Sequence, residues 1–166
     1  DFFVTNGYLD NMLLQCCESG DTYTYTPLNF TEGDEVELQF DFAFPFFGSS
    51  ASSVYVGQRG YVSILPAEQP VSSVTLAEHW ARPMISALFS EYQSDSGTVY
   101  WGLDPGFRAI VAFENMEFPL TNQTVTFMVT FSSSGTIDMY YKANAAPDVT
   151  NAIVGVSPGV APDTVT

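Results

Sequence analysis

The sequence predicts an all-β domain, an antiparallel two-sheet β-sandwich with little helix, from three observations. From Glu35 to Phe44, the side chains of Val36, Leu38, Phe40, Phe42 and Phe44 fall on one side of an extended chain and those of Glu35, Glu37, Gln39, Asp41 and Ala43 on the other. That two-residue period is the mark of a half-buried strand. The same period recurs from Thr124 to Phe131, where Val125, Phe127, Val129 and Phe131 alternate with Thr124, Thr126, Met128 and Thr130. Third, short strand candidates recur along the chain with Gly, Pro, Asn and Ser between them, as in antiparallel sheets and unlike alternating α/β units.

Taken in order, the first 31 residues form an N-terminal segment packed on the domain or leading into it, with Tyr8 to Cys17 fitting either a short helix or an edge strand. The sandwich proper is assigned to residues 32–157. After Glu35 to Phe44 come strands at Ser53 to Val56, Tyr61 to Leu65, Met84 to Phe89, Thr98 to Trp101, Phe107 to Glu114 and Ala152 to Val156. Turns fall at Gly57 to Gly60, Ser94 to Gly97 and Asp104-Pro105-Gly106. Leu76 to Ala81 fits a single helical turn. Ser132-Ser133-Ser134-Gly135 turns the chain after the second alternating strand, and Ile137, Met139 and Tyr141 resume the pattern, which makes a hairpin. The even positions from Val36 to Phe44 and the odd positions from Val125 to Phe131 are the expected core. Residues 158–166 read as an exit segment toward a following domain.

The chain has 166 residues, 46% of them hydrophobic and 15% aromatic, which suffices for one well-packed core. Only 14% are charged, and 19 Asp and Glu against 4 Lys and Arg give a net charge of -15. Phosphate binding needs clustered cations, and Arg59, Arg82, Arg108 and Lys142 are dispersed, so nucleic acid is excluded as a partner. The same charge disfavours an anionic membrane surface, and no run approaches the roughly 18 apolar residues that span a bilayer. The start at Asp1 reads as a processed or excised piece of a longer protein. The acidic, Ser- and Thr-rich surface suits a salty extracellular or cell-surface setting, where screening suppresses self-repulsion. Asn29-Phe-Thr31 and Asn122-Gln-Thr124 are the two candidate N-glycosylation sites.

Cys16 and Cys17 are adjacent, and Cα atoms about 3.8 Å apart are too close for an unstrained disulfide between them. They are either free thiols or candidates for disulfides to another chain or domain. Gly155-Val156-Ser157-Pro158-Gly159 matches the spacing of a hydrolase nucleophile elbow but fails its mechanism. The residue after the serine must donate an N–H to the oxyanion, Pro158 has none, and the single histidine, His79, precedes the serine. No catalytic residue is therefore expected. The first 41 residues hold nine acids and no Lys or Arg. Glu32 and Asp34, or Glu91 with Asp95, supply the oxygens that calcium prefers, although no calcium-loop motif is present, and a solvated acidic face explains the same residues. No other cofactor is expected. Trp80, Tyr92, Tyr100 and Trp101 fall near loops and fit either rim packing or a platform for a ligand or partner.

The order of short segments resembles that of nidogen-like (NIDO-type) extracellular domains and related surface modules. The resemblance rests on Phe44-Pro45-Phe46-Phe47-Gly48, Val54-Tyr55-Val56-Gly57, Gly60-Tyr61-Val62-Ser63 and Arg82 to Phe89. It continues through the acidic loop Glu91 to Gly97, Gly97 to Trp101, Ala109 to Asn115, Gly135-Thr136-Ile137 and Ile153 to Val156. It covers residues 35–157. It implies a non-catalytic structural or adhesive module of a larger secreted or cell-surface protein, with neighbouring domains or copies in an extracellular matrix or filament as partners. The alternative is a carbohydrate-binding module using the rim aromatics.

Overall fold

The computed structural model describes residues 25–31, 35–69, 71–93, 96–104, 106–119, 121, 123–142 and 151–160. Among them are ten strands: β1 Thr26–Pro27, β2 Glu35–Phe46, β3 Ser49–Gly57, β4 Tyr61–Ser63, β5 Pro83–Phe89, β6 Thr98–Asp104, β7 Arg108–Glu117, β8 Thr124–Ser132, β9 Ile137–Tyr141 and β10 Ile153–Pro158. One short helix, α1 (Leu76–Trp80), lies between β4 and β5, and the Thr75 hydroxyl caps it by accepting the Glu78 N–H at 3.1 Å. All strand pairs are antiparallel. They form two five-stranded sheets, of order β1-β6-β7-β8-β9 and β10-β5-β4-β3-β2. The chain is a two-sheet β-sandwich.

The alternating residues meet between the sheets. Leu38, Phe40, Phe42 and Phe44 of β2 and Val125, Phe127, Val129 and Phe131 of β8 are buried in one core cluster. Phe131 reaches across to Phe40 and Phe44, with ring centroids 5.6 and 5.2 Å apart, and Phe113 stacks on Phe127 at 4.6 Å. Such ring pairs add to the burial of apolar area. Strand β8 departs from simple alternation, because Thr126, Met128 and Thr130 are buried as well. Ile110 and Ala112 on β7 are also fully buried and lie outside that cluster. In the centre of this sheet the period of two therefore assigns a side chain to a layer and does not decide whether it meets water.

Strand β3 begins at Ser49, well before the expected Ser53. Phe47 and Gly48, both at positive φ (44° and 80°), make a two-residue turn that pairs Phe46 with Ser49. The serines of 49–53, which resemble a loop in composition, are thereby held in the ladder. Residues 26–27, within the expected N-terminal segment, pair with β6, and Leu28 and Phe30 pack against the core.

The chain between β4 and β5 folds over the outer face of the second sheet. Val71 joins Tyr61, Met84 and Phe89 in a smaller apolar cluster, with Ala67, Val74 and Ile153 packed against it. Two of the four cations fasten this cover. Glu35, expected on the solvent side of β2, is instead buried beneath it. Its Oε1 accepts the Tyr61 hydroxyl at 2.9 Å and pairs with Arg82 Nη2 at 2.5 Å, and its Oε2 accepts the Ala67 N–H at 2.8 Å. Arg82 also donates to the Leu65 carbonyl at 3.1 Å and lies over the Tyr61 ring. Burial works against its charge, but Glu35 and Tyr61 outweigh that and hold its pKa above the ordinary value. Burial, with the Glu35 charge beside it, pushes the Tyr61 phenol well up. Farther along, Arg59 donates to the Val71 carbonyl at 3.1 Å and forms an ion pair with Glu91, which in turn accepts the Val74 N–H.

Removing one partner of a buried ion pair strands the other charge. Arg82→Met is expected to lower unfolding free energy by about 3–5 kcal/mol in urea titrations. Pairing it with Glu35→Gln should cost less than the sum of the two single changes, because neither charge is then left alone.

Candidate functional site

Sheet ends, where backbone groups lack a partner strand, are the natural contact surfaces of a sandwich. The four ends differ. Strand β1 has two residues, one of them Pro27, which has no N–H to offer. Strand β2 carries Glu37, Gln39 and Asp41 on its exposed face, and charge at an edge discourages pairing. Strand β9 carries the exposed Asp138, with Lys142 just beyond it. Strand β10 has no charged residue, and Val154 and Val156 are exposed on it, followed by Val160.

The reason lies in the register of β10 with β5, its one neighbour among the described residues. Val156 is paired with Ile85, whose side chain belongs to the core between the sheets, so Val156 points to that layer but overhangs its margin. Ser157, paired with Met84, faces the other way, under the cover that includes α1, and is fully buried. Its hydroxyl accepts the Gly159 N–H at 3.0 Å. The register shifts at a bulge between Ile153 and Gly155, and the carbonyl of Ala87 on β5 accepts the hydroxyl of the half-exposed Tyr141 from β9. Val154 and Val156 are thus exposed on the end strand of one sheet, and Tyr141 on the end strand of the other. The strand itself was legible in the sequence, but its exposure was not, because the apolar alternation of Val154 and Val156 reads as a core face.

The polar candidates take up structural positions. His79 on α1 is buried, its Nδ1 lies 2.8 Å from the Ser86 hydroxyl of β5, and its ring stands edge-on to Trp80. Burial lowers its pKa below the ordinary 6.5. Glu91 commits both oxygens, one to Arg59 and one to Val74. Glu32, Asp34 and Asp95 lie outside the described residues, as do Cys16, Cys17 and Asn122. Among the described residues no group of three or more His, Cys, Asp or Glu is placed to hold a metal ion. Asn29 is exposed just after β1.

The four rim aromatics do not share a surface. Tyr92 fills a gap in the core against Phe118 and Phe127, with its hydroxyl donating to the Leu88 carbonyl, and burial raises its pKa strongly. Trp101 and Tyr100 are successive residues of β6 and so face opposite sides of their sheet, Trp101 toward the core. Trp80 lies beyond the other sheet, on α1.

With this geometry in place, comparison with known proteins gives one decisive match, to the NIDO-related family over residues 14–165. The chain belongs to the NIDO-related family. The match extends upstream of the motifs between residues 35 and 157 and takes in nearly the whole chain. Membership points to an extracellular domain of a larger protein. Neither a curated protein nor a solved structure matches this NIDO-related chain significantly. No helix among its described residues is long and apolar enough to cross a membrane.

The buried imidazole gives this domain a signature in pH. Because the folded state lowers the His79 pKa, the unfolded chain binds more protons below pH 6.5, so stability falls as pH drops through 6.5 toward the folded value. Its Nδ1 contact is the neutral Ser86 hydroxyl, which does not offset a proton's charge. Chemical denaturation at pH 7 and pH 5 should show a larger loss for the native chain than for His79→Gln, which removes the proton-linked part.

Proposed function

We propose that this domain is a non-catalytic structural and adhesive module of a larger secreted or cell-surface protein, and that it works through strand-edge contacts with neighbouring domains or copies. The observation that carries the reading is β10, the sheet end among the described residues with no charge and with valines turned outward. An edge strand offers unpaired N–H and C=O groups in a row, and an extended segment laid beside it gains both those hydrogen bonds and the valine contacts. Pro158 and the bulge after Ile153 shorten the usable ladder. Each contact is therefore modest, and repetition of modules supplies the avidity.

The polar inventory supports a non-catalytic role. Ser157 is fully buried and accepts a backbone hydrogen bond, and the histidine is engaged by Ser86 inside the cover. Both arginines around Tyr61 and Val71 hold the cover in place. A net charge of -15 opposes contact between copies at low salt, and screening relieves it.

Sedimentation velocity over a range of protein and salt concentrations tests this. Association that grows with both, and that Val154→Lys with Val156→Lys abolishes while leaving thermal stability intact, is the expected result. A chain that stays monomeric at every concentration and ionic strength contradicts it.

A further inference from the structure

At the far end of the second sheet, away from the margin of β10 that carries Val154, a groove of about 420 Å³ opens between the β2–β3 turn and the start of the cover. Its size falls in the range of small-ligand sites, roughly 300–1,000 Å³. Phe47, Tyr55 and Leu65 stand around it, and Ser49, Ser50 and Ser52 bring exposed hydroxyls to it. Pro66, Pro83 and Pro158 stiffen the remaining wall.

Phe47 is the residue that needs explaining. A two-residue turn with both φ values positive favours Asn-Gly, and a bulky side chain in the left-handed region is unfavourable. Here the turn is Phe47-Gly48, at φ 44° and 80°. Phe47 is 60% exposed, and its ring is propped edge-on against Phe46 at 4.8 Å. The chain therefore holds a large apolar ring in solvent, at a backbone position that disfavours it, beside a row of hydroxyls. Strain of this kind clusters at ligand sites.

We infer that this groove is a binding site for a neutral sugar. A pyranose has an apolar C–H face that packs on an aromatic ring and an equatorial rim of hydroxyls that exchange hydrogen bonds with serine and tyrosine. No charged residue lines the groove, and the chain as a whole repels anions, so uronates and sulfated sugars are disfavoured. An extended peptide is less well served. Strand β3 is paired with β2, and with β4 only over Tyr55–Gly57, so the ladder offered to a peptide is confined to residues 49–54, where Ser49, Ser50 and Ser52 give its side chains little apolar surface. The groove shares only Pro158 with β10, and neither Val154 nor Val156 lines it.

Titration of the whole chain with cellohexaose, maltohexaose and N-acetylchitohexaose, followed by amide NMR, tests the inference. At least one should shift the amides of residues 49–55 and Leu65. Phe47→Gly, which suits the turn, should weaken that binding about tenfold while keeping or raising the melting temperature. The inference is overturned if none of the three sugars moves these amides at millimolar concentration, or if Phe47→Gly binds as tightly. It is equally overturned if a proline-rich peptide moves them and the sugars do not.

Discussion

The layer of phenyl rings between the two sheets is the interaction on which everything else rests. Phe40, Phe42 and Phe44 from one sheet meet Phe113, Phe127 and Phe131 from the other, and each buried ring contributes about 1.5–3 kcal/mol relative to exposure. No polar tie among the described residues matches that sum, and a buried ion pair is often worth little more than the apolar pair that would replace it. The Glu35–Arg82 pair and its hydrogen bonds to Tyr61 and Ala67 thus have a different role, which is placement. They fix where the chain between β4 and β5 crosses the outer face of its sheet. That crossing decides which residues of β5 and β10 are covered and which are left at the margin.

The charge balance adds a second constraint. With four cations against 19 acids, the chain has little scope for surface ion pairs, and Arg59 and Arg82 are both spent on the cover. The remaining acids make most of the surface repulsive toward another acidic chain, and they guard β2 directly. An uncharged edge on such a molecule is where a like-charged neighbour meets least resistance. Electrostatics and strand geometry therefore single out the same place.

Much of this fold was legible because phenylalanine, valine and leucine recur with period two in β2 and β8, where one face meets the opposite sheet. The turn at Ser132 to Gly135 and the single helical turn after Thr75 were legible from local chemistry. Other features depend on what lies above a strand, which no local pattern encodes. Glu35 looked solvent-facing and is buried under a segment 32 positions away. The strand expected to start at Ser53 begins at Ser49, because the turn at Phe47-Gly48 holds the preceding serines in a ladder with β2. On β10 Val154 and Val156 are exposed, while Ser157 is buried beneath the cover. The candidate contact surface was missed for the same reason, since exposure at a sheet end is set by topology. Tyr92, Tyr100, Trp101 and Trp80 were near loops as read, yet register sends them to different sides.

Residue-resolved hydrogen exchange at the sheet ends addresses the central claim, that β10 is the working edge. In dilute solution, the β10 amides that point away from β5 should exchange rapidly. As protein and salt concentrations rise they should become protected, while the outward amides of β2 keep their rates. Protection that appears along β2 instead, or β10 amides whose exchange never responds to concentration, would contradict the account.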